Sequence, residues 1–177
     1  ERGAPEESRT GGLLEKKRIL VLTADVGFGH RSAANAIHQA LRADFHSDCE
    51  SVIVNPLEDK RTPFFLRDTG ADYDRLVRNM PELYKFSYNA SDTTVTSAIM
   101  ESALILTLYE VMRDLLKKYQ PDAIISTYPL YQVPLDAVMT LSGVNVPQLV
   151  AVTDLATVHR IWFSKSVDRV LVPNEIV

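Results

Sequence analysis

Cysteine is almost absent from this sequence, since Cys49 is the only thiol among its 177 residues, and a single cysteine cannot form a disulfide within the chain. Long apolar runs are also lacking. The longest uncharged stretch, 137–153, is interrupted by a glycine, a proline and polar amides, so no segment is suited to span a membrane. Positive charge is not in excess, because the net charge is −4 at pH 7, and this argues against nucleic-acid binding. These absences predict a protein of a reducing compartment that is soluble or at most peripheral to a membrane.

The remaining composition is typical of one α/β domain. With 46% hydrophobic and 24% charged residues, a chain of 177 residues can bury a full-sized core. Residues 1–17 are set apart, because the chain begins without a methionine and positions 1–12 are polar and rich in turn-forming residues. We expect residues 1–17 to be a disordered lead or a remnant of cloning, and we expect the domain to occupy residues 18–172.

Strand-like and helix-like patterns alternate along this domain. Short apolar blocks predict strands, and apolar residues at steps of three and four predict helices. The predicted strands are 18–23, 51–54, 122–126, 148–152 and 169–172, and the predicted helices start at Arg31, span 97–119 and span 134–141. Strands separated by helices predict a parallel sheet with right-handed crossovers. The expected fold is therefore α/β, a Rossmann-like parallel sheet flanked by helices.

A glycine-containing loop, Asp25–Arg31, joins the first predicted strand to the first predicted helix. Gly27 and Gly29 permit a tight turn and leave amide groups free at the start of the helix, where negative charge is favoured. His30 stands at the same junction, and its imidazole is suited to act as a general base near neutral pH. The loop has neither the third glycine of a dinucleotide site nor the Lys-Ser or Lys-Thr pair of a nucleotide-phosphate loop. A simpler interpretation, in which the glycines only start a helix, stays open at this point.

Chemically useful side chains follow several of the predicted strands. Ligands of open parallel sheets bind at the carboxyl ends of the strands. The residues expected at that edge are Asp25 and His30 after the first strand, Thr127 to Leu130 after the third, and Thr153, Asp154 and His159 after the fourth. Asp154 and His159 could bind a metal, but the chain lacks the nearby histidine or cysteine residues that would complete such a site. We therefore expect neither a metal nor a cofactor.

The segment 60–89 mixes aromatic with basic residues and is too long for a simple connection. Such a mixture can place a protein on an anionic membrane surface. The residues expected to contact the membrane are Phe64, Phe65, Leu66, Arg61 and Arg67. Acidic residues in the same segment offset much of the positive charge, so a helical insertion that packs against the domain is the alternative.

Four sequence blocks, 21–34, 80–89, 121–129 and 152–163, closely resemble in that order one protein family. This is the amino-terminal domain of the monogalactosyldiacylglycerol synthases and of the related processive diacylglycerol glucosyltransferases. The resemblance implies the two-domain GT-B fold and a peripheral membrane enzyme of the cytoplasmic side that transfers a hexose from a UDP-sugar to diacylglycerol with inversion. The amino-terminal domain would take the lipid acceptor, and a carboxy-terminal domain would hold UDP-galactose or UDP-glucose. Residues 173–177 look like the start of the crossing into that donor domain, which would be missing here.

The resemblance also implies roles for individual residues. His30 is the expected base that takes the proton of the acceptor hydroxyl, and Asp25 is expected to orient or polarise that site. The amides of Gly27 and Gly29 would stabilise phosphate charge on the leaving UDP. The other residues expected to contact the acceptor or the phosphates are Phe28, Thr127, Asp154 and His159. Phe28 departs from the three-glycine run that plant members usually carry, which leaves its own role open.

Three alternatives remain. A sibling transferase of the same fold could act on another lipid-linked acceptor, such as the peptidoglycan lipid intermediate, although the block 80–89 argues against it. A non-catalytic module that binds lipid or nucleotide is the second alternative. An unrelated Rossmann-like enzyme is the third, and the missing cofactor fingerprint argues against it. The length of the native reading frame would separate an enzyme from a module, whereas the choice between galactose and glucose would lie in the donor domain.

Overall fold

The computed structural model describes residues 15–26, 29–62, 94–154, 158 and 160–175. These residues form a sheet of five parallel strands in the order β2-β1-β3-β4-β5. The strands are β1 Lys17–Leu22, β2 Cys49–Val54, β3 Ala123–Ser126, β4 Gln148–Ala151 and β5 Arg169–Leu171. This arrangement confirms the predicted Rossmann-like α/β fold.

Three α-helices and three short 3-10 turns connect the strands within the described ranges. The helices are α1 Gly29–Asp44, α2 Thr94–Tyr119 and α3 Gln132–Ser142, and the turns are Pro56–Glu58, Pro129–Tyr131 and Arg160–Trp162. The prediction started helix α3 at Pro134, but the helix begins at Gln132. The proline is accommodated because the first turn of a helix tolerates it. It ends at Gly143, whose φ of 67° is the left-handed conformation that favours glycine.

The core is built around β1, an interior strand of the described sheet. β1 pairs with β2 on one side and with β3 on the other. Leu20, Val21 and Leu22 are almost fully buried, as expected for a parallel strand that is covered on both faces. The buried cluster that contains Leu20 and Leu22 also includes Leu108 and Met112 of α2 and Leu135 and Val138 of α3. The continuous apolar block that predicted this strand therefore reflects its interior position in the sheet.

The order of the strands makes β1 and β3 a point at which the direction of the chain connections reverses. The chain leaves β1 toward β2 on one side and later returns to β3 on the other. Right-handed crossovers in opposite directions place the connecting helices on opposite faces of the sheet. Ligands in open parallel sheets bind at such a point, outside the carboxyl ends of the strands. Helix α1 begins at this edge, directly after the glycine loop.

Some predictions fall on residues outside the described ranges. They concern residues 1–14 of the expected lead, residues 63–93, which include most of the aromatic and basic segment, and residues 176–177 of the expected crossing. What the sequence predicts for these residues stays a prediction. β1 begins one residue inside the expected lead, where Lys17 Nζ lies 3.0 Å from a carboxylate oxygen of Asp122. Of the helices in the described ranges, none combines the length with the apolar character that crossing a bilayer requires.

Candidate functional site

His30 is the second residue of α1, and its ring reaches the carboxyl edge of the sheet. Nδ1 lies 2.6 Å from the carbonyl oxygen of Thr127, which follows β3. The same nitrogen lies 2.9 Å from Oγ1 of Thr153, which follows β4. The start of α1 and the ends of two strands therefore meet at one imidazole ring.

The Thr127 carbonyl determines which ring nitrogen of His30 carries the proton. A carbonyl oxygen can only accept a hydrogen bond, so at 2.6 Å Nδ1 must be the donor. In the neutral ring this leaves the lone pair on Nε2. No described residue forms a hydrogen bond with Nε2. His30 therefore presents Nε2 as its basic atom.

Two aromatic rings pack around His30. The Tyr128 ring lies 5.0 Å away in an edge arrangement, and the Trp162 ring lies 6.0 Å away. Burial lowers the pKa of His30 below its ordinary value of 6.5, although the Thr127 carbonyl and the charge of Asp154 act in the opposite direction. Because the net shift in pKa is downward, the ring is neutral at pH 7. A general base requires that form.

Asp154 supplies a negative charge that acts on His30, and a buried tryptophan holds its carboxylate. Trp162 Nε1 donates to Oδ2 of Asp154 at 2.7 Å. Trp162 is 1% exposed, and its backbone carbonyl accepts a hydrogen bond from Gln132 Nε2 at 3.2 Å. The carboxylate cannot turn into solvent without breaking its bond to the indole, so its charge stays near the imidazole.

Replacing Asp154 with asparagine is expected to lower the pKa of His30 further. The charge that favours the imidazolium is removed, while the side chain keeps its shape and an oxygen for Trp162. An NMR titration of the His30 ring measures the shift. Asp136→Asn on α3 is the matched control, because Asp136 is exposed and is not among the groups that shift the pKa of His30. An unchanged midpoint in Asp154→Asn would contradict this electrostatic account.

Thr127 has a different role from the predicted contact with acceptor or phosphate. Its side chain is fully buried, and Oγ1 donates toward the backbone carbonyls of His30, at 3.0 Å, and Leu22, at 3.2 Å. The Thr127 amide also donates to the Leu22 carbonyl at 2.9 Å. A hydroxyl enclosed between β1 and α1 cannot reach a ligand. Thr127 acts instead through its carbonyl, which orients the His30 ring.

Asp25 pairs with Arg31 and does not hydrogen-bond His30. Its two carboxylate oxygens each lie 2.7 Å from a guanidinium nitrogen of Arg31, and Asn55 donates to Oδ2 at 3.3 Å. Glu58 lies 3.5 Å from the same guanidinium. The hydrogen bond from Arg31 lowers the pKa of Asp25. The contacts that hold the imidazole come from threonines after β3 and β4. The predicted role of Asp25, to orient or polarise the site, stays a prediction.

Gly29 is the first residue of α1 and lies against Thr153. A Cβ placed on Gly29 would lie 3.4 Å from the Thr153 Cβ, which is an ordinary van der Waals contact. The start of α1 is therefore seated on the end of β4, and Gly29 occupies the predicted position at the helix N-terminus. Gly27, Phe28 and His159 lie outside the described residues, so their predicted contacts stay predictions.

Arg61, which was expected near lipid phosphates, is bound by two carboxylates. Its guanidinium lies 2.9 Å from Asp59 and 2.6 Å from Asp114 of α2. The hydrogen bonds from Arg61 lower the pKa of Asp59 to about 2. The guanidinium is already engaged by these two carboxylates, which weighs against contact between Arg61 and an anionic surface. The other predicted membrane contacts, Phe64, Phe65, Leu66 and Arg67, lie outside the described residues.

The sequence-based prediction placed Thr153 and Tyr128 at this edge of the sheet and Trp162 in the core or an interface, but it gave none of them a role in holding His30. A repeated hydroxyl is the signal that could have pointed to the first of these. Thr23, Thr127 and Thr153 each follow a strand within two residues. Which of these threonines meets the candidate base depends on the order of the strands, and local sequence does not specify that order.

Within the described part of the chain, no three histidine, cysteine, aspartate or glutamate side chains stand close enough to hold a metal ion. Asp154, the carboxylate that acts on His30, is already bonded to Trp162. What the arrangement offers chemically is a proton acceptor, Nε2 of His30, on a ring that is held from its other nitrogen.

Most of the chain matches known proteins. The family model described as monogalactosyldiacylglycerol (MGDG) synthase matches residues 30–177. The chain is 36% identical over 166 residues to the chloroplastic monogalactosyldiacylglycerol synthase of Spinacia oleracea, and the match covers 91% of this chain and 31% of that protein. It is 32% identical over 187 residues to the chloroplastic monogalactosyldiacylglycerol synthase 1 of Arabidopsis thaliana, with 95% and 34% covered.

The chain spans about a third of the length of these curated relatives. The region that the family model matches starts at His30 and contains Thr127, Thr153, Asp154 and Trp162, which together form the site. The match extends through four of the five strands and all three described helices except the first residue of α1. The chain therefore belongs to the monogalactosyldiacylglycerol synthase family.

Proposed function

We propose that this chain is the acceptor-binding domain of an inverting glycosyltransferase that transfers galactose from UDP-galactose to 1,2-diacylglycerol. One observation carries the proposal. The Thr127 carbonyl holds Nδ1 of His30 at 2.6 Å and leaves the lone pair on Nε2, at the carboxyl edge of the sheet. The family supports the same reaction, because the curated relatives are named for a galactosylated diacylglycerol.

In the proposed reaction, the free hydroxyl of diacylglycerol approaches Nε2 of His30. A neutral alcohol is a weak nucleophile until its proton is removed. As the hydroxyl oxygen attacks the anomeric carbon of galactose, its proton passes to Nε2. The bond between that carbon and the β-phosphate oxygen of UDP breaks on the opposite face, so the configuration inverts and UDP leaves with the electron pair. The imidazolium then releases its proton to solvent.

The surroundings of His30 suit a base that is neutral before this step and charged after it. Burial keeps the pKa of the free ring below its ordinary value, so the reaction starts from the neutral form. The Asp154 charge and the Thr127 carbonyl both favour the imidazolium that forms when the proton arrives. Neither effect requires a side chain to move.

The start of α1 is the proposed contact for the leaving diphosphate. The first amides of a helix have no acceptor within the helix and carry partial positive charge. Gly29 is the first residue of α1, so its amide and that of Gly27 would donate to phosphate oxygens as negative charge develops. The rest of the nucleotide sugar would be held by a second domain. The finding that the match covers only 31% of the spinach relative accords with this division.

An assay of hexose transfer, carried out on the protein encoded by the full native reading frame, tests this proposal. With diacylglycerol vesicles and UDP-galactose the protein is expected to form monogalactosyldiacylglycerol, which mass spectrometry and NMR of the product would identify. A parallel reaction with UDP-glucose controls for the sugar, and a preference for glucose would overturn the galactose assignment. Transfer to a polyprenyl-linked acceptor but not to diacylglycerol would overturn the acceptor.

We propose further that the segment 60–89 brings the site to the membrane surface, where diacylglycerol presents its hydroxyl. The double change Phe64→Ser and Phe65→Ser is expected to weaken co-sedimentation with anionic vesicles, because two aromatic side chains no longer enter the interface. Phe45→Ser is the control, since Phe45 is 50% exposed and lies after α1. Added salt should weaken the binding that remains. Unchanged co-sedimentation of the double variant would place the membrane contact elsewhere.

A further inference from the structure

We propose that Thr153 is a positioning residue. Its hydroxyl and the Thr127 carbonyl together fix the plane of the His30 ring, so that Nε2 points at the acceptor oxygen. The role of Nε2 rests on the proposed function, whereas the hold on the ring rests on geometry. A carboxylate could have served this purpose, but Asp25 is bonded to Arg31 and Asp154 to Trp162.

One hydrogen bond does not hold an imidazole in a single orientation. The 2.6 Å contact from Nδ1 to the Thr127 carbonyl fixes a distance and a direction, but the ring can still rotate about that line. Thr153 Oγ1 lies 2.9 Å from the same nitrogen and comes from the neighbouring strand end. Because the single proton on Nδ1 points at oxygen atoms, the Thr153 hydroxyl accepts there and directs its own hydrogen elsewhere. Two acceptors after β3 and β4 then define the plane of the ring.

Thr153 is itself restrained by the start of α1. Its Cβ is 3.4 Å from the position that a Cβ would take on Gly29, and its branched side chain has few favourable rotamers. The rings of Tyr128 and Trp162 also pack near the imidazole, with centroids 5.0 Å and 6.0 Å from it. The restricted rotamers and the helix contact keep the hydroxyl directed at Nδ1.

The catalytic consequence is geometric. A base takes a proton efficiently when its lone pair faces the O–H bond, and a displacement of about 1 Å can lower a rate about a hundredfold. Without the Thr153 hydroxyl, the ring keeps its lone pair but loses its alignment. The loss should appear in kcat, while the KM for UDP-galactose should stay unchanged, because the Thr153 hydroxyl is directed at His30 and has no proposed contact with the donor.

Two substitutions of Thr153 separate the hydroxyl from the shape of the side chain. Thr153→Val keeps the branched shape but puts a methyl group where the hydroxyl was, and a carbon atom cannot sit 2.9 Å from Nδ1 without overlap. Thr153→Ser keeps the hydroxyl. Thr107→Val on α2 controls for the removal of a threonine hydroxyl, because Thr107 Oγ1 donates within its own helix to the Leu104 carbonyl.

In the protein encoded by the full reading frame, Thr153→Val is expected to lower kcat by about 10- to 100-fold. Thr153→Ser and Thr107→Val are expected to stay close to the wild-type rate. Wild-type kcat in Thr153→Val would overturn the proposal. A loss in Thr153→Ser as large as the loss in Thr153→Val would also overturn it, since the hydroxyl would then not be the important group.

NMR of isotopically labelled histidine in the 177-residue chain gives a readout that does not depend on activity. Wild-type His30 is expected to carry its proton on Nδ1 with slow exchange, and Thr153→Val, but not Thr153→Ser, is expected to speed that exchange. A proton on Nε2 in the wild type, or unchanged exchange in Thr153→Val, would overturn the positioning role. Failure of the wild-type full-frame protein to form glycolipid would instead overturn the proposed function, and the NMR comparison would still decide whether Thr153 holds the ring.

Discussion

Replacing His30 with alanine is expected to lower galactosyl transfer by about a hundredfold or more, because the acceptor hydroxyl then has no base to take its proton. Asp25 and Asp154, the carboxylates that follow β1 and β4, cannot replace the imidazole as the base. Asp25 is bonded to Arg31, and Asp154 is bonded to Trp162. The measurement is kcat of the protein encoded by the full reading frame, with diacylglycerol and UDP-galactose as substrates.

His38→Ala is the matched control for this change. His38 lies on the same helix, and its Nδ1 is 2.8 Å from the Ser51 hydroxyl, away from the strand ends that hold His30. Circular dichroism would show that both variants keep the fold. The wild-type rate is also expected to fall as the pH drops through the lowered pKa of His30, because a base must be neutral to accept a proton. Turnover near the wild-type rate in His30→Ala would remove this residue from the mechanism.

The 177-residue chain by itself is expected to transfer no hexose. Its described residues provide a base and the start of a helix, whereas the proposal assigns the nucleotide sugar to a second domain. The chain matches 31% and 34% of the lengths of the spinach and Arabidopsis relatives. Incubation of the purified chain with diacylglycerol and labelled UDP-galactose, followed by lipid extraction, is the measurement.

A dispersed NMR spectrum of the same sample is the control that separates a missing donor site from an unfolded protein. Calorimetric titration with UDP-galactose should show little or no binding to the chain alone. Substantial glycolipid formation by the purified chain would overturn the division into acceptor and donor domains, while leaving the family assignment in place.

The elements of the fold could be predicted because their signals are local. β1 is covered on both faces, so its apolar block stands out from the flanking polar residues. Gly143 ends α3 as predicted, since the left-handed position favours glycine. The helix starts were less accurate. α1 begins at Gly29 and not at Arg31, because the glycine and His30 join the first turn although neither contributes to the apolar spacing.

The candidate base and the strand ends around it could be predicted, but the atoms that hold its ring could not. His30 follows a strand and a glycine loop, and this context is contained in a few consecutive residues. Thr127 and Thr153 are 97 and 123 residues away in the chain. Asp25 is much closer in sequence and was predicted to orient or polarise the site. Arg31 competes for its carboxylate and forms two hydrogen bonds with it.

The sequence by itself determined the alternation of strands and helices, the loop that presents His30, and the family to which the chain belongs. Only the tertiary structure decided that Nδ1 carries the proton, that Thr127 acts through its carbonyl, and that Thr153 reaches the ring. The physical reason is that a histidine tautomer depends on which oxygen atoms lie within hydrogen-bond distance. Those oxygens come from the ends of β3 and β4, and they reach the start of α1 only because the sheet places β3 beside β1 and β4 beside β3.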